Sequence, residues 1–487
     1  MKKRVTALLL AMLLCLTSGV LTATAEAPEH LVVAYLTLGV TPPDLKKVED
    51  AVNEKTIPEI NVEVEFKAVS AYDAFVLFPT WASTGGERVD LMLPLLQDIR
   101  TYVDGGLLMP LDDLIEDEAP HLMQLIEEGQ PIVSNSIING SIYAITTVPN
   151  MVGQGGGFVV GEKYIEETGF DYDPAQIYTF DDLTELFAAI KELHPEMYPC
   201  GVVTTGKTNS EFVYTSGAID SLSGAPSYTG VLMGEESTTI VDMYESEEYL
   251  DYITHLREWN LAGYIHPDAA TMEGSVDSLK LAGVSAGYFM VSAPVQRKEG
   301  DVILRLSEVY QPSAGAGGWV VPYRSEAPQA AIRFIDLVWS DSDLANLIQW
   351  GIEGEHFVMV DAATGYVTFP DGGTAADSGY YNTLGVWGDT RKIYTFSPNS
   401  TQADNDAYTA EALQHPTQGI GISYSMANVS NEVAAIAVVV AQYVPTLESG
   451  SVDIETYYPQ FIAALKAAGV DTVIADKQAQ FDEQYSK

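Results

Sequence analysis

The residues best suited to chemistry are concentrated in positions 349–357, QWGIEGEHF. Glu353, Glu355 and His356 stand within four positions of one another. A zinc-protease helix needs two histidines four residues apart with a glutamate between them, and this stretch has one histidine. Its two glycines are also unfavourable in a helix interior. The two carboxylates could flank a sugar, although closeness in sequence does not establish closeness in space.

The flanking elements favour a structural role for this stretch. DSDLANLIQWG predicts an amphipathic helix with Gly351 as its left-handed stop, and HFVMVDAATGYVTF predicts a hairpin. GIEGEH is then the turn that leaves a helix. We expect His356 to be a hydrogen-bonded turn residue rather than a catalytic base.

The remaining candidates for catalysis are weak. None of the seven histidines pairs with another at metal-ligand spacing, and we find no GxSxG elbow or locally supported Cys–His motif. Pairs such as Asp112-Asp113 and Asp181-Asp182 are expected by chance among 68 acidic residues. They also stand at predicted helix starts, where the dipole favours them. We therefore expect no catalytic residue, no metal and no cofactor.

The N-terminus predicts a secretory signal peptide over residues 1–25. Three basic residues precede an apolar run, and ATA supplies a small-x-small site, so cleavage is expected after Ala25. Leu14 before Cys15 argues against lipidation. Removing the leader takes three of 24 basic residues and none of the 68 acidic ones, which leaves a net charge of −47. Such a surface repels nucleic acid and anionic lipid, and it favours a soluble protein outside the cell.

Strands and helices alternate after the leader. LVVAYLT, NVEVEFKAV and VDLMLPL predict strands, with PPDLKKVEDAVNEKT and AYDAFVLFPTWAST as helices, the second weakened by Pro79. This order predicts a doubly wound α/β lobe, whose ligands bind beyond the carboxyl ends of the strands. Residues 37–39, 70–73 and 95–98 are therefore candidates for contact with a ligand.

Three further segments have clear local signals. IINGSIYAI predicts a hairpin around Asn139-Gly140. NMVGQGGGFVV is interpreted as a crossover strand rather than a phosphate-binding loop, because no helix start follows its glycines. TFDDLTELFAAIKEL predicts a helix that Thr179 and Asp182 close with a capping box.

The aromatic residues favour a sugar ligand. Tryptophan and tyrosine combine a flat apolar face with a hydrogen-bonding edge, which suits the alternating faces of a sugar. Trp81, Trp319, Trp350 and Trp387 stand near glycines or element ends, where a cleft could use them. Core packing is an equally good explanation for each of these four.

From about residue 30 onward the chain resembles the family 1 extracellular solute-binding proteins of ABC importers. The resemblance to maltose-binding protein is distant, and that to a Gram-positive branch with a C-terminal domain of unknown function is close. It rests on NGSIYAI, GFVVGEKYIEETGFDYDPAQIYTFDDLTELFAAIKE, AIRFIDLVWSDSDLANLIQWGIEGEHF and VDIETYYPQFIAALKAAGVDTVIA. The chain departs from that branch in lacking the usual lipobox.

The resemblance implies an α/β, periplasmic-binding-protein-like type II fold with two doubly wound lobes joined by a multi-strand hinge. Lobe 1 would hold residues 26–148 and 319–400, and lobe 2 would hold 149–318. Residues 401–487 would pack mainly on lobe 2. A monomer is expected that captures a carbohydrate, most simply an oligosaccharide, and delivers it to the permease subunits of an importer.

The resemblance also implies ligand contacts at Tyr288, at Trp319 and in the turn from Trp350 to His356. We expect Trp350 and Trp319 to present apolar faces and Glu353 to accept hydrogen bonds from ligand hydroxyls. Trp81 and Trp387 complete the predicted set. A secreted glycoside hydrolase and a binding protein for a non-sugar solute such as a peptide are the alternatives.

Overall fold

The computed structural model describes residues 27–486 with short gaps. The predicted signal peptide lies outside the described residues, as do parts of the candidate segments 37–39 and 95–98. The gaps are residues 38–40, 95–96, 98, 131, 134–135, 147–152, 206–209, 213–218, 223–225, 235–236, 273, 295–296, 299, 314–317, 376, 383–385, 397–399 and 423.

Strands and helices alternate along most of the chain. The strands are β1 (Glu29–Thr37), β2 (Val62–Ser70), β3 (Ile137–Ile138), β4 (Ser141–Ile142), β5 (Ile145–Thr146), β6 (Gly156–Gly161), β7 (Tyr198–Gly201), β8 (Ile219–Asp220), β9 (Thr229–Leu232), β10 (Val241–Asp242), β11 (Ser285–Val291), β12 (Asp301–Arg305), β13 (Gly318–Trp319), β14 (Val358–Asp361) and β15 (Tyr366–Thr368). The helices are α1 (Leu45–Ile60), α2 (Ala71–Thr84), α3 (Ile99–Asp104), α4 (Asp112–Glu118), α5 (Pro120–Glu127), α6 (Glu162–Thr168), α7 (Phe180–Leu193), α8 (Glu247–Leu261), α9 (Val276–Leu281), α10 (Pro328–Ser340), α11 (Ser342–Trp350), α12 (Gln402–Ala412), α13 (Ser430–Leu447), α14 (Ile454–Ala468) and α15 (Val470–Tyr485).

The first lobe is organised around parallel strands. β1 pairs in parallel with β2 along all nine residues, and bridges extend the sheet through residues 91–92 to β13 and then β5. The strand predicted from VDLMLPL is reduced to these bridges. One hydrophobic cluster unites residues 31–145 with 319–387. It forms because apolar side chains of β1 and of helices α1 and α10 leave water together.

The second lobe has a mixed four-stranded sheet in the order β12-β6-β11-β7. β6 runs antiparallel to both its neighbours, and β11 runs parallel to β7. A separate hydrophobic cluster unites residues 158–304 with 422–481. The C-terminal helices therefore share the core of this lobe.

Predictions from local sequence patterns are confirmed where the interacting residues are close together in sequence. Thr179 and Asp182 form the predicted capping box of α7. Asn139 and Gly140 form the predicted hairpin turn with φ values of 53° and 86°. Helix α2 continues through Pro79, and the glycine-rich segment enters strand β6 as predicted.

Helix α13 is the one described helix that is long and apolar enough to cross a membrane. Ile436, Val440 and Val444 recur every four residues and lie in the core of the second lobe. The helix is thus held to the lobe along one stripe, while Val438 on another face is exposed.

Candidate functional site

Each lobe has one edge at which strand ends gather. In the second lobe β7, β11 and β12 run the same way, so their carboxyl ends lie together with the start of β6. In the first lobe the carboxyl ends of β1, β2 and β5 share an edge. We call these the cleft edges, because ligands of α/β sheets bind beyond the carboxyl ends of the strands.

In the part of the chain that the structure describes, three crossover segments between the lobes lie side by side. Gln154 exchanges backbone hydrogen bonds of 2.8 and 2.9 Å with Tyr310. Gln311 donates to the His415 carbonyl and accepts from the Thr417 N–H, at 3.0 Å each. Residues 153–155, 309–313 and 415–417 thus form a narrow three-segment ribbon between the cleft edges.

The turn that leaves α11 differs from the predicted left-handed stop. Gly351 ends the helix with φ 85° and ψ −152°, a conformation outside the left-handed helical region that still needs glycine. A Cβ atom at Gly351 would stand 2.5 Å from Nδ1 of His356. The imidazole packed beneath the turn therefore explains the glycine.

His356 is the hydrogen-bonded turn residue that the sequence predicted. It is 1 % exposed. Its Nδ1 accepts a 2.9 Å hydrogen bond from the Ile352 N–H, so the proton lies on Nε2, which donates to Asp44 Oδ2 at 3.2 Å. Asp44 directly precedes α1, at the cleft edge of the first lobe. The His356–Asp44 hydrogen bond therefore connects this turn to that edge.

Two clusters of acidic residues and histidine are compact enough for a metal ion. Asp44, Glu355 and His356 form one, and Glu308, Glu411 and His415 the other. In the first cluster Lys47 pairs with Glu355, and both nitrogens of His356 are engaged. In the second cluster Glu411 accepts from Arg305 and from the Val309 N–H. Protein partners therefore already occupy the strongest ligand atoms of each cluster.

Trp350 lies in a group of four rings, here called the aromatic cluster. Neighbouring ring centroids are 4.5–5.3 Å apart, and all four side chains are half-buried. The Trp350 indole N–H also donates to the Tyr394 carbonyl at 2.9 Å. Trp350 is therefore more deeply packed than its place at a helix end suggested. The members of the aromatic cluster are Trp350, Phe369, Tyr381 and Phe396.

Glu353 is exposed on the same turn. Its carboxylate has no hydrogen-bond or ion-pair partner in the described part of the chain, and it borders an open groove of about 640 Å³. The groove runs between α1 and the end of α11, with Tyr394 at one side. Burial raises the pKa of Tyr394, and the charges of Asp343 and Glu353 raise it further. Glu353 thus has free acceptor capacity on the first lobe.

Trp319 and Trp387 lie together in the core of the first lobe. Each is 2 % exposed, and their ring centroids are 4.4 Å apart. The Trp319 indole N–H donates to the Val386 carbonyl at 2.9 Å. Neither ring has an open face in this arrangement, so direct contact with a ligand stays a prediction for both.

Tyr288 is in the middle of β11 rather than in a turn. It is 2 % exposed, and its hydroxyl donates to Asp277 Oδ1 at 2.5 Å. Burial opposes ionisation of Asp277, but hydrogen bonds from Lys298 and Tyr288 outweigh it and lower the pKa of this carboxyl. The tyrosine therefore ties strand β11 to helix α9.

Trp81 is not brought together with the other predicted residues. It follows the start of α2 at the cleft edge by ten residues, or roughly 15 Å along the helix. Its side chain borders a small pocket with Arg88 and Arg324, and Lys67 Nζ lies 5.0 Å from its ring centroid.

Two residues at the cleft edge of the first lobe lie outside the predicted set of ligand-binding residues, although one of them, Gln97, falls within the candidate segment 95–98. Gln97 follows the bridges at residues 91–92, and its Oε1 accepts from the Tyr102 hydroxyl at 2.5 Å. Its buried Nε2 has no partner among the described residues. Phe75, in the second turn of α2, is 49 % exposed. The signal for Gln97 was its place within 95–98, whereas Phe75 had none, because its exposure depends on how α2 packs.

Comparison with known proteins finds a matching family model and a relative that is similar over most of the chain. A family model described as a domain of unknown function (DUF3502) matches residues 420–486. The chain is 23 % identical, over 396 residues, to a carbohydrate ABC transporter substrate-binding protein of Streptococcus pneumoniae. That match covers 78 % of this chain and 76 % of the relative.

Solved structures resemble the chain over nearly its full length. An N-glycan transport solute binding protein of Streptococcus pneumoniae is 18 % identical, with a TM-score of 0.77 over 94 % of this chain and 99 % of that one. Complexes of the same protein with Man1GlcNAc and Man5GlcNAc give TM-scores of 0.69 and 0.65. An HMO-binding, ABC-transporter-associated solute binding protein of Bifidobacterium longum infantis is 15 % identical, with a TM-score of 0.65 over 94 % of this chain and 99 % of that one.

These similarities confirm the predicted type II fold with two α/β lobes. They also confirm the predicted resemblance to the extracellular solute-binding proteins of ABC importers.

Proposed function

We propose that this protein is the substrate-binding subunit of an ABC importer and that it captures a carbohydrate, most simply an oligosaccharide. The observation that carries this proposal is the near full-length structural match to a sugar-transport solute-binding protein, at a TM-score of 0.77. The protein binds and releases its sugar unchanged, and permease subunits receive it.

The proposed ligand site lies between the two cleft edges. Among the residues that the structure describes, the Gln97 amide donor has no partner, and neither has the Glu353 carboxylate at the rim of the first lobe. The aromatic cluster and Phe75 supply partly exposed ring surface for the apolar faces of a sugar. Such a combination of apolar faces and few directed polar groups is typical of small-molecule sites.

The other predicted residues are proposed to support this site. Trp319 and Trp387 fill the core behind the cleft edge of the first lobe, and His356 fixes the turn that carries Glu353. Tyr288 holds β11 beneath α9 in the second lobe. Trp81 belongs to a different face of the first lobe.

Binding is proposed to proceed by closure of the two lobes around the sugar. A ligand that touches both lobes binds the closed arrangement better and shifts the equilibrium toward it. Two observations support this mechanism. The lobes have separate cores joined by a narrow ribbon. The arrangement described here is also more similar to the relative's structure without a named sugar than to its two complexes.

The lobes are proposed to follow the predicted division, with 26–148 and 319–400 in lobe 1 and 149–318 in lobe 2. Residues 401–487 would belong mainly to lobe 2. The two hydrophobic clusters support this division, because one draws from both stretches of lobe 1 and the other from 158–304 and 422–481.

Substrate-binding proteins of ABC importers work outside the cell membrane or in the periplasm. We propose that this chain is secreted by its N-terminal leader, is cleaved after Ala25 without lipidation, and acts as a monomer that binds no nucleic acid. The formal charge of −44 supports the last point, because phosphate backbones would be repelled. Intact-mass analysis of secreted protein should show Glu26 at the N-terminus, and a diacylglyceryl group on Cys15 would refute this processing.

The proposed function is tested by a thermal-shift screen against mono- and oligosaccharides, including mannose-containing N-glycan fragments. A cognate sugar at one hundred times its dissociation constant should stabilise the protein by about 2.7 kcal/mol. Chromatography after long incubation should return the sugar intact. Cleavage of the sugar would support the hydrolase alternative, and stabilisation by peptides without any response to sugars would overturn the carbohydrate assignment.

A further inference from the structure

Asp220 joins two interlobe crossovers to the second lobe. This aspartate is 1 % exposed at the end of β8. Its carboxylate accepts from the Ser313 N–H at 2.8 Å and from the Ser313 hydroxyl at 2.5 Å. It also accepts from the Thr417 hydroxyl and, at 3.0 Å, from the Leu222 N–H. Ser313 and Thr417 belong to different crossovers, so one carboxylate fixes both.

The crossover at Thr417 is also packed closely against this aspartate. A Cβ atom at Gly419 would lie 2.6 Å from Asp220 Oδ2 and 2.5 Å from a methyl group of Leu222. Glycine therefore lets the backbone approach the carboxylate. The contact is specific to this place in the chain, since any side chain at position 419 would push the crossover away.

The loop that follows Asp220 is held by the last helix. Lys477 of α15 is fully buried, and its Nζ donates to the carbonyls of Thr229 at 2.8 Å and Ser221 at 3.1 Å. The same ammonium lies 4.5 Å from the ring centroid of Tyr424. A single side chain thus holds both ends of the β8–β9 connection.

Leu222, the second residue after β8, has a constrained backbone conformation. Its φ of 57° is unusual for a bulky residue. The conformation is maintained by hydrogen bonds on both sides, because its N–H donates to Asp220 and its carbonyl accepts from the Tyr424 N–H at 3.0 Å. Residues 220–222, the two crossovers and the C-terminal helices therefore form one connected unit.

We infer that this unit, Asp220 with Lys477, is a positioning device that fixes the second-lobe ends of two crossovers and so sets the resting separation of the lobes. The inference assigns a role to the C-terminal segment, whose matching family model carries no function. It rests on the proposed function insofar as lobe separation governs sugar capture. Rotation between the lobes must then occur on the first-lobe side of Ser313 and Thr417.

The test measures the interlobe distance in the absence of sugar. Spin labels on cysteines introduced at the exposed Glu59 and Glu192 report on the two lobes. The native Cys200 is buried, which also raises the pKa of its thiol, so it should not take up label. Asp220→Asn and Lys477→Met are each compared with the unmodified background by pulsed distance measurements well below the melting temperature.

Gln478→Ala is the matched control. Gln478 neighbours Lys477 on α15 and also makes two backbone hydrogen bonds, to Ile240 and Thr238, but it does not reach the crossovers. Asp220→Asn and Lys477→Met should broaden or shift the distance distribution and change sugar affinity by about fivefold or more. The control should lower stability and leave the distances unchanged.

Equal losses of stability in all three variants, with unchanged distances, would overturn the inference and make the unit an ordinary part of the core. Thr417→Val removes one hydrogen-bond donor to Asp220 at nearly constant shape, and it replaces Asp220→Asn in the test if that variant does not fold. Thr417→Val should change the interlobe distances in the same way as Lys477→Met. Because the distances are measured without sugar, a negative sugar screen would count against the proposed function and leave this test intact.

Discussion

Glu353 and His356 share one turn but are in opposite physical situations. His356 is buried and uses both ring nitrogens in hydrogen bonds. Glu353 is exposed, and its carboxylate has no partner among the described residues. A substitution of the histidine should therefore act on folding, because it leaves a buried N–H unpaired. A substitution of the glutamate should act on binding.

Glu353→Gln is expected to weaken sugar binding about tenfold or more, because a hydrogen bond to a charged group contributes roughly 1.5–3 kcal/mol. The melting temperature of the free protein should not change. Calorimetric titration measures the affinity. Glu355→Gln is the control, since that carboxylate already pairs with Lys47. Unchanged affinity in Glu353→Gln would remove this residue from the site.

Trp350→Ala should lower the free energy of unfolding by roughly 2–3 kcal/mol, below the 3–5 typical of a fully buried aromatic residue. The reason is the loss of two ring contacts in the aromatic cluster, with Tyr381 and Phe396, and of a hydrogen bond to the Tyr394 carbonyl. Urea denaturation followed by circular dichroism measures the change. Trp350→Phe keeps an aromatic ring and should recover most of the stability. An unchanged free energy of unfolding in Trp350→Ala would show that the ring is dispensable for packing.

At the scale of elements, the start of a helix can be set by residues close in sequence, whereas the pairing of strands depends on distant segments. Helix α7 begins with a complete capping box, in which Thr179 accepts from the Asp182 N–H at 3.2 Å. The Asp182 carboxylate accepts from the Thr179 N–H at 2.7 Å. Both partners lie within four residues of sequence, so the helix boundary needs nothing from the rest of the fold.

Thr179→Ala is therefore expected to cost about 1 kcal/mol of stability, the usual effect of losing an N-cap side chain. Chemical denaturation is the measurement. Thr179→Ser retains the hydroxyl and should stay close to the wild type. If the alanine variant were as stable as the serine variant, the capping box would be energetically unimportant here.

At the scale of the whole molecule, separate cores joined by a narrow ribbon allow the lobes to move as bodies. Sugar should make the particle more compact in small-angle scattering, because closure brings the cleft edges together. Amide exchange in residues 309–313 and 415–417 should change at the same time. A confirmed ligand that alters neither quantity would rule out hinge closure for this protein.

The core of the second lobe also makes stability depend on pH. Burial raises the pKa of Glu448 from 4.5 to about 7, although hydrogen bonds from Ser210 and Glu211 oppose the shift. As pH rises from 4.5, the unfolded chain loses this proton before the folded chain does, so stability falls up to about pH 7. Burial of Asp242 acts with the same sign, since its pKa rises from 3.8 to about 7. Lys477 acts oppositely, because burial lowers its pKa to about 7 and stability falls as pH drops from 10.5.

Glu448→Gln should therefore flatten the decline in unfolding free energy between pH 5 and pH 7.5, a contribution on the order of 3 kcal/mol for a shift of this size. Urea titrations at the two pH values measure it. Glu455→Gln, at an exposed position of α14, is the control and should keep the wild-type slope. An unchanged slope in Glu448→Gln would show that this carboxyl ionises normally in the folded protein.

The sequence by itself determined the elements whose signals are local. The capping box of α7, the Asn139-Gly140 turn and the end of α11 at Gly351 all depend on residues a few positions apart. The alternation of strands and helices and the quoted motifs were sufficient to predict the two-lobed fold. The leader and the acidic charge predict secretion, which stays a prediction.

The tertiary structure alone decided which aromatic residues are buried. Trp319 and Trp387 lie near glycines or element ends and are far apart in sequence, yet the fold brings their rings into contact in the core, with centroids 4.4 Å apart. Asp220 likewise accepts from Ser313 and Thr417, which lie 93 and 197 positions away. Burial and long-range hydrogen bonds arise from the packing of distant segments. No local sequence pattern specifies which distant residue will form the contact.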